Sequence, residues 1–211
     1  MYTCAQCSIH ACKKEDHAGM PKNCPMHQQE LMQAAYAEYR KNEVHDFYVT
    51  SSELEALGYG NWPRLRETME LPRRMGFTKL GLAFCGGLAK EAKIVDKILR
   101  RNGFTVVSVM CKTGGYPKQD IGISEERMLH PGYFEAMCNP IAQAKLLAQQ
   151  NTQFNIVLGL CVGHDSLFYR YSEALTTTLV VKDRVLAHNP AGAIYCSEGY
   201  LACKVDLEEE K

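Results

Sequence analysis

The chain has 211 residues, 46% of them hydrophobic, which fits one α/β domain of ordinary size with a small additional segment. Its 24 basic and 24 acidic residues balance, so no net charge favours nucleic acid or an anionic membrane as a partner. Apolar runs fall well short of the roughly 20 residues that a membrane span needs, and the N-terminus does not resemble a secretory signal. We therefore expect a cytoplasmic protein.

Ten cysteines are unusual for such a protein. The cytoplasm keeps thiols reduced, so disulfides are a poor explanation, and metal ligation is the first alternative to consider. Eight of the cysteines fall into two sets of four. One set lies near the N-terminus and the other is spread over the second half of the chain.

The N-terminal set lies in a predicted metal-binding segment, residues 1–27, which has too little apolar content to fold alone. Closely spaced cysteines that end in Cys-Pro, here Cys24-Pro25, occur in ferredoxin-like cluster sites. Structural zinc uses four cysteines, or three and a histidine, equally well. The ligand candidates are Cys4, Cys7, Cys12 and Cys24, with His10, His17 and His27 nearby. The sequence leaves both iron–sulfur and zinc open.

Residues 28–76 are predicted to form a helical connector that packs on the core. Residues 28–41 have the apolar stripe of an amphipathic helix. A second helix is expected over about 63–75, with Asn61 as its cap, Pro63 in its first turn and Gly76 at its end.

Residues 77–211 alternate between strand and helix patterns. Apolar, β-branched runs predict strands over 78–84, 104–110, 154–160 and 177–182. Helices are predicted from Gly86 to about Arg101, from the Asn139 cap to about Gln150, and over about 165–172. The pattern predicts a three-layer α/β domain with a mainly parallel sheet, of the flavodoxin- or Rossmann-like kind.

Cysteines follow the predicted strands directly. Cys85, Cys111 and Cys161 come after three strands, and Cys138 precedes the Asn139 cap. The carboxyl ends of parallel strands share one edge, with neighbours about 4.8 Å apart, so these thiols should lie close together. Gly86, Gly87 and Gly163 would let backbone amides approach the sulfurs of an iron–sulfur cluster. Alternatively, each cysteine is a small hydrophobic residue buried at a strand end.

Several polar residues near this edge have two interpretations. His164 is a candidate proton donor or extra ligand, although it and Asp165 also fit an ordinary helix start. Cys161 is a candidate nucleophile. Residues 188–192 fit a pocket wall or a turn, residues 113–117 could close over a ligand, and Cys196 and Cys203 are interpreted as structural.

Three segments and the N-terminal cysteine pattern resemble a family of uncharacterised, cysteine-rich, predicted metal-binding proteins from anaerobic bacteria and archaea. The segments are CNPIAQA (138–144), GLCVGHD (159–165) and VVKDRVLAHNP (180–190). The resemblance implies a metal-binding cytoplasmic protein but names no reaction. It marks as ligands Cys4, Cys7, Cys12, Cys24, Cys138 and Cys161.

The sequence favours an iron–sulfur redox protein with two metal sites, most simply [4Fe-4S] at the strand edge. Four thiolate ligands would favour electron transfer, whereas three would leave an open iron for chemistry on a small molecule. The expected partners are an electron donor or acceptor protein and a small-molecule substrate. The single Trp62 gives no stacking platform for nucleic acid. Two alternatives remain, namely a zinc-stabilised protein that handles metal or sulfur, and a thiol enzyme that uses Cys161.

Overall fold

The computed structural model describes residues 1–15 and 17–207, so the last four residues of the predicted α/β domain lie outside it. The chain forms two compact units, Met1–Leu57 and Gly58–Lys211. The predicted division at residues 27 and 76 stays a prediction, as does the docking of the N-terminal segment on the core. Within the described residues, no helix is both long and apolar enough to span a bilayer.

The second unit is built on a four-stranded, entirely parallel sheet. The strands are β1 (Lys79–Phe84), β2 (Thr105–Met110), β3 (Phe154–Leu158) and β4 (Thr176–Val180), in the spatial order β2-β1-β3-β4. Strand β3 is buried along its whole length, which explains why four of its five residues are apolar. The fifth, Asn155, is hydrogen bonded to Thr152 and Ser172. The order reverses between β1 and β3, and such a switch point is where open α/β sheets form their ligand crevices.

Helices cover both faces of the sheet, as the strand–helix alternation predicted. In the second unit they are α3 (Arg64–Arg74), α4 (Ala89–Arg101), α5 (Pro140–Gln149), α6 (His164–Tyr171), α7 (Ala191–Tyr195) and α8 (Ala202–Val205). The strand boundaries agree with the predicted ones to within two residues. The predicted three-layer α/β fold is therefore confirmed.

Helix α5 shows how local chemistry sets these boundaries. Asn139 Oδ1 accepts a hydrogen bond from the Ala142 amide at 3.0 Å, and Pro140 occupies the first turn. This is the predicted N-terminal cap, which satisfies one of the amides that a helix start leaves without a partner.

The helical connector differs from its prediction in two ways. The first unit contains α1 (Gln29–Glu38), close to the predicted span, and all but the last residue of α2 (Asn42–Gly58), which was not predicted. The expected Asn61 cap is wrong. The Asn61 amide bonds to Gly58 O and its side chain donates to Tyr59 O, so Asn61 closes the turn after α2. Pro63 lies at the N-terminal boundary of α3.

Candidate metal and thiol site at the strand edge

Four of the six cysteines of the second unit, Cys85, Cys111, Cys138 and Cys161, line one cavity of about 650 Å³. Cys85 directly follows β1, Cys111 directly follows β2, and Cys161 lies three residues after β3. Cys85 and Cys111 are buried, while Cys138 and Cys161 are half-buried. The structure thus brings together all four thiols that were predicted to meet at this edge.

Backbone hydrogen bonds explain the convergence. The sheet pairing continues one residue past each strand, because the Cys85 amide bonds to Leu158 O at 3.1 Å and the Cys111 amide to Phe84 O at 2.9 Å. The Asn139 amide bonds to Cys111 O at 2.7 Å, which brings the preceding Cys138 back to the same edge.

Helix α5 is tied to the strand ends by a buried side chain. Gln143 is fully buried, and its Nε2 donates to Phe84 O at 3.2 Å and to Val109 O at 2.7 Å. Phe84 immediately precedes Cys85 in the chain, and Val109 lies two residues before Cys111. The amide of Gln143 therefore holds the ends of two cysteine-bearing strands against one helix.

Three of the sulfurs form a hydrogen-bonded row with Cys111 in the middle. The Cys111 thiol hydrogen bonds with both Cys138 and Cys85, and it also accepts from the Gly86 amide at 3.3 Å. These two thiol contacts, together with burial, raise the pKa of Cys111. A thiol that keeps its proton can donate to a neighbouring thiolate.

The outer members of the row are correspondingly acidic. The hydrogen bond from Cys111 lowers the pKa of Cys85 to about 4, helped by the Gly87 amide and Lys182 against the effect of burial. The same thiol lowers the pKa of Cys138 to about 5, helped by Lys112 and His164. Because Cys111 has one proton to donate, the row favours a thiolate at Cys85 or at Cys138 at neutral pH, and the thiolate is the form of cysteine that binds metals and attacks electrophiles.

Cations surround the sulfurs, and sequence reasoning missed them. Arg184 Nη2 donates to Cys161 Sγ at 3.1 Å, and this contact raises the pKa of Arg184. Lys118 and Arg127 complete the set of basic side chains, and the described lining contains no Asp or Glu. The spacing of Lys182 and Arg184, two residues apart just after β4, was the available signal, because such residues point the same way along an extended chain.

The remaining predicted residues near this edge separate into two groups. Gly86, Gly87 and His164 line the cavity, and His164 lies near enough to Cys138 to lower its pKa. Gly163, with φ at +84°, lies at the start of α6 and is not among the lining residues described. Asp165 accepts a hydrogen bond from the next amide, Ser166, at 2.8 Å.

The segment after β4 is a turn that positions two of the cations. His188 Nδ1 accepts from the Asp183 amide at 3.1 Å, and Asp183 Oδ1 accepts from the amides of Val185 and Leu186, each at 2.9 Å. His188 is not among the described lining residues, so its structural role is to close this turn. The turn fixes the backbone on both sides of Asp183, where Lys182 and Arg184 begin.

The loop between β2 and α5, residues 112–137, forms the rest of the cavity wall. Its two ends are held together, since the Lys118 amide bonds to Glu135 O at 3.0 Å and the Met137 amide to Tyr116 O at 2.8 Å. The Lys118 ammonium also pairs with the Glu135 carboxylate. The wall residues are Lys112, several residues of 118–129, and Met137, whereas residues 113–117 contribute none of the described lining.

The N-terminal cysteines are brought together only in part. Cys4, Cys7 and Cys24 line a cavity of about 270 Å³ in the first unit, and Cys12 is not among its described lining residues. Asn23 joins the two sides of this cavity by donating to Thr3 Oγ1 at 2.8 Å. His27 Nε2 lies 3.1 Å from Pro21 O, in hydrogen-bond contact with the backbone.

Neither set forms a compact site for a single ion. Over residues 1–15 and 17–207, no group of three or more His, Cys, Asp or Glu side chains has an arrangement that could hold one metal ion. The ten cysteines are all free thiols. The donor chemistry at the strand edge nevertheless fits a larger thiolate-bound group, because four sulfurs surround one cavity with amides and cations beside them.

Comparison with known proteins gives a family and no reaction. A family model described as "Protein of unknown function (DUF1847)" matches residues 24–179. A curated relative, "Uncharacterized protein MJ0455" from Methanocaldococcus jannaschii, is 44% identical over 192 residues, which cover 91% of this chain and 93% of that protein. No solved structure matches the chain. The expected resemblance to an uncharacterised family with archaeal members is confirmed.

Proposed function

Because the chain belongs to the DUF1847 family, whose description assigns no activity, we propose a function from the geometry of its strand-edge cavity. The protein is an iron–sulfur redox protein, and this cavity holds a [4Fe-4S] cluster. The ligands are the four cysteines that line it, Cys85, Cys111, Cys138 and Cys161.

The observation that carries the proposal is the convergence of four thiols from separate parts of the chain on one cavity. Buried cysteines that act only as small hydrophobic residues have no reason to share one cavity with five basic side chains. Four cysteine thiolates are the usual ligand set of [2Fe–2S] and [4Fe–4S] clusters. The ligands of a cluster bind separate irons, so they need not form the compact chelate that a single ion requires.

The surroundings of the sulfurs support the same assignment. The Gly86 and Gly87 amides bond to the sulfurs of Cys111 and Cys85, and hydrogen bonds of this kind tune the reduction potential of a cluster. Lys182 and Arg184 place positive charge beside Cys85 and Cys161. A buried anionic group needs such compensation, because desolvation of uncompensated charge is costly.

When bound, a cluster would supply single electrons, and the protein would control their use. The cavity is larger than a set of sulfur ligands needs and falls within the usual range for small-molecule sites, roughly 300–1,000 Å³. His164 lies at this cavity and near Cys138, so it is placed to deliver a proton to a bound molecule. The proposed activity is therefore electron transfer or reduction of a small molecule, with a protein electron donor or acceptor as partner.

The N-terminal segment is proposed to hold a second metal site. Cys4, Cys7 and Cys24 share a cavity, and Cys12 lies in the same segment. This site binds an iron–sulfur cluster or zinc, and it serves to order the segment or to pass electrons. A cytoplasmic location is part of the proposal, because it keeps all of these thiols reduced.

A second candidate function is transfer of metal or sulfur without redox turnover. The hydrogen-bonded row of Cys85, Cys111 and Cys138 favours it, because thiolates beside a protonated thiol are suited to pass a soft ligand between them. The contact between Arg184 and Cys161 similarly supports a thiol enzyme that uses Cys161. Zinc in place of iron would favour the transfer function.

Anaerobic purification followed by metal and sulfide analysis tests the proposal. We expect a brown protein with iron and acid-labile sulfide, and Cys111→Ala should lose the iron and sulfide of the strand-edge site. Cys203→Ala is the matched control, since Cys203 is exposed and far along the chain from either set. Colourless protein with zinc alone would favour the second candidate. A Cys161→Ala variant with full iron content but no activity would favour the thiol enzyme.

A further inference from the structure

The strand-edge cavity contains more basic side chains than those that contact its sulfurs. Lys182 contacts Cys85, Lys112 contacts Cys138, and Arg184 contacts Cys161. Lys118 is paired with Glu135. This leaves Arg127, whose guanidinium has no hydrogen bond or ion pair to the described residues, although it lines the same cavity.

A bound cluster would not neutralise all the positive charge of the cavity lining. The positive charges of the irons offset much of the charge of the sulfides and thiolates, so the net negative charge of the cluster is smaller than the number of its sulfur ligands suggests. The described lining contains five basic residues and no acidic one. Arg127 is therefore available to a second anionic group in the same cavity.

Apolar side chains line the same cavity as this arginine. Ile121, Ile123 and Leu129 come from the same loop and line the cavity, and Leu129 is 77% exposed in the structure. Ligand sites typically combine an apolar lining with a few placed polar groups that fix the orientation of the ligand. A planar guanidinium beside apolar side chains suits a molecule with an apolar body and one carboxylate or phosphate, because arginine binds both groups in a bidentate manner.

We infer that the strand-edge cavity binds a small organic anion, with its carboxylate or phosphate on Arg127 and its apolar part against Ile123 and Leu129. The role of this anion as the molecule reduced rests on the proposed function. The binding of the anion is independent of the proposed function, because the loop residues that hold the anion are not cluster ligands. The substrate class of the site is thus organic oxyanions rather than neutral molecules or cations.

Calorimetric titration under anaerobic conditions tests the inference with three probes of similar size. Benzoate and phenyl phosphate provide the two oxyanions, and benzyl alcohol is the neutral comparison. We expect at least one anion to bind about tenfold more tightly than the alcohol, since a charge-assisted hydrogen bond is worth this much or more. The preferred anion identifies the class as carboxylate or phosphate.

Variants locate the binding site. Arg127→Gln should weaken the preferred anion about tenfold and leave benzyl alcohol unchanged, whereas Arg127→Lys should restore part of the affinity. Arg101→Gln, at an exposed position at the end of α4, is the matched control and should have no effect. Equal affinity for anion and alcohol, or equal effects of the two glutamine variants, would overturn the inference.

The titration is carried out on both the cluster-loaded and the metal-free protein, which separates this inference from the proposed function. Absence of iron and sulfide would refute the cluster, and Arg127-dependent anion binding in the metal-free protein would still support the anion site. Cluster-loaded protein that shows no preference for anions would overturn the anion site and leave the cluster standing. A change in the electron paramagnetic resonance spectrum of the reduced protein on anion binding would place both in one cavity.

Discussion

Substitution of Gln143 by leucine tests how the strand ends, and with them the cysteines, are held. Gln143 is fully buried and donates to Phe84 O and Val109 O. Leucine is of similar size, so the substitution removes two hydrogen bonds worth about 1 kcal/mol each. It also removes Gln143 Oε1, a buried oxygen with no partner among the described residues, which offsets part of this loss. Gln143→Leu should therefore lower the free energy of unfolding by about 1 kcal/mol.

Urea unfolding of the metal-free protein measures this change. Gln149→Leu is the matched control, because Gln149 is an exposed residue of the same helix, α5. A surface substitution of this kind should change the free energy of unfolding by no more than about 0.5 kcal/mol. If Gln143→Leu and Gln149→Leu have the same stability, the Gln143 bonds do not hold the strand ends, and the cysteines converge for another reason.

Two further predictions concern thiol acidity and backbone geometry. In the metal-free protein, the rate at which iodoacetamide alkylates Cys85 should fall little between pH 8 and pH 6, because its pKa of about 4 keeps it a thiolate. The rate for added N-acetylcysteine, a free thiol, should drop steeply over the same range, and equal pH profiles by mass spectrometry would refute the thiolate row. Gly159→Ala should destabilise the fold by more than about 2 kcal/mol in urea, since φ is +63° and a Cβ would lie 2.4 Å from Leu88 Cδ1. At Gly103, φ is +91° and an added Cβ would have no atom within 4 Å, so Gly103→Ala should lower the free energy of unfolding only by the backbone cost of a positive φ, about 1–2 kcal/mol. An equal loss of stability in Gly159→Ala and Gly103→Ala would contradict the packing argument.

The sheet and the meeting of the cysteines could be predicted because both follow from short-range patterns. Buried parallel strands such as β3 have mainly apolar sequences, and residues that follow such strands share one edge. Cys85 and Cys111 needed no more than this rule. Cys138 needed one additional signal, the Asn139-Pro140 helix start, whose capping bond the structure contains.

The cations of the site could not be predicted by the same reasoning. Lys118 and Arg127 lie in short 3₁₀ helices of the long loop between β2 and α5, and the pairing of the two ends of this loop helps to bring them to the cavity. Arg184 depends on a turn that the His188 and Asp183 side chains close. Such contacts in loops and turns leave no repeating pattern in the sequence from which they could be predicted.

The helical connector was predicted less well for a physical reason. Helix α2 mixes apolar and polar residues without a clear stripe, so the periodicity that indicates a helix is weak there. Asn61 has the residue type of a cap, but its backbone and side chain both bond back to the end of α2. Residue type alone does not distinguish the end of one helix from the start of the next.

An anomalous difference map at the iron absorption edge, from crystals grown without oxygen, tests the central claim most directly. The account predicts a strong iron peak in the strand-edge cavity, within bonding distance of the sulfurs of Cys85, Cys111, Cys138 and Cys161. A map with no iron peak between these sulfurs, from protein purified and crystallised anaerobically, would contradict it.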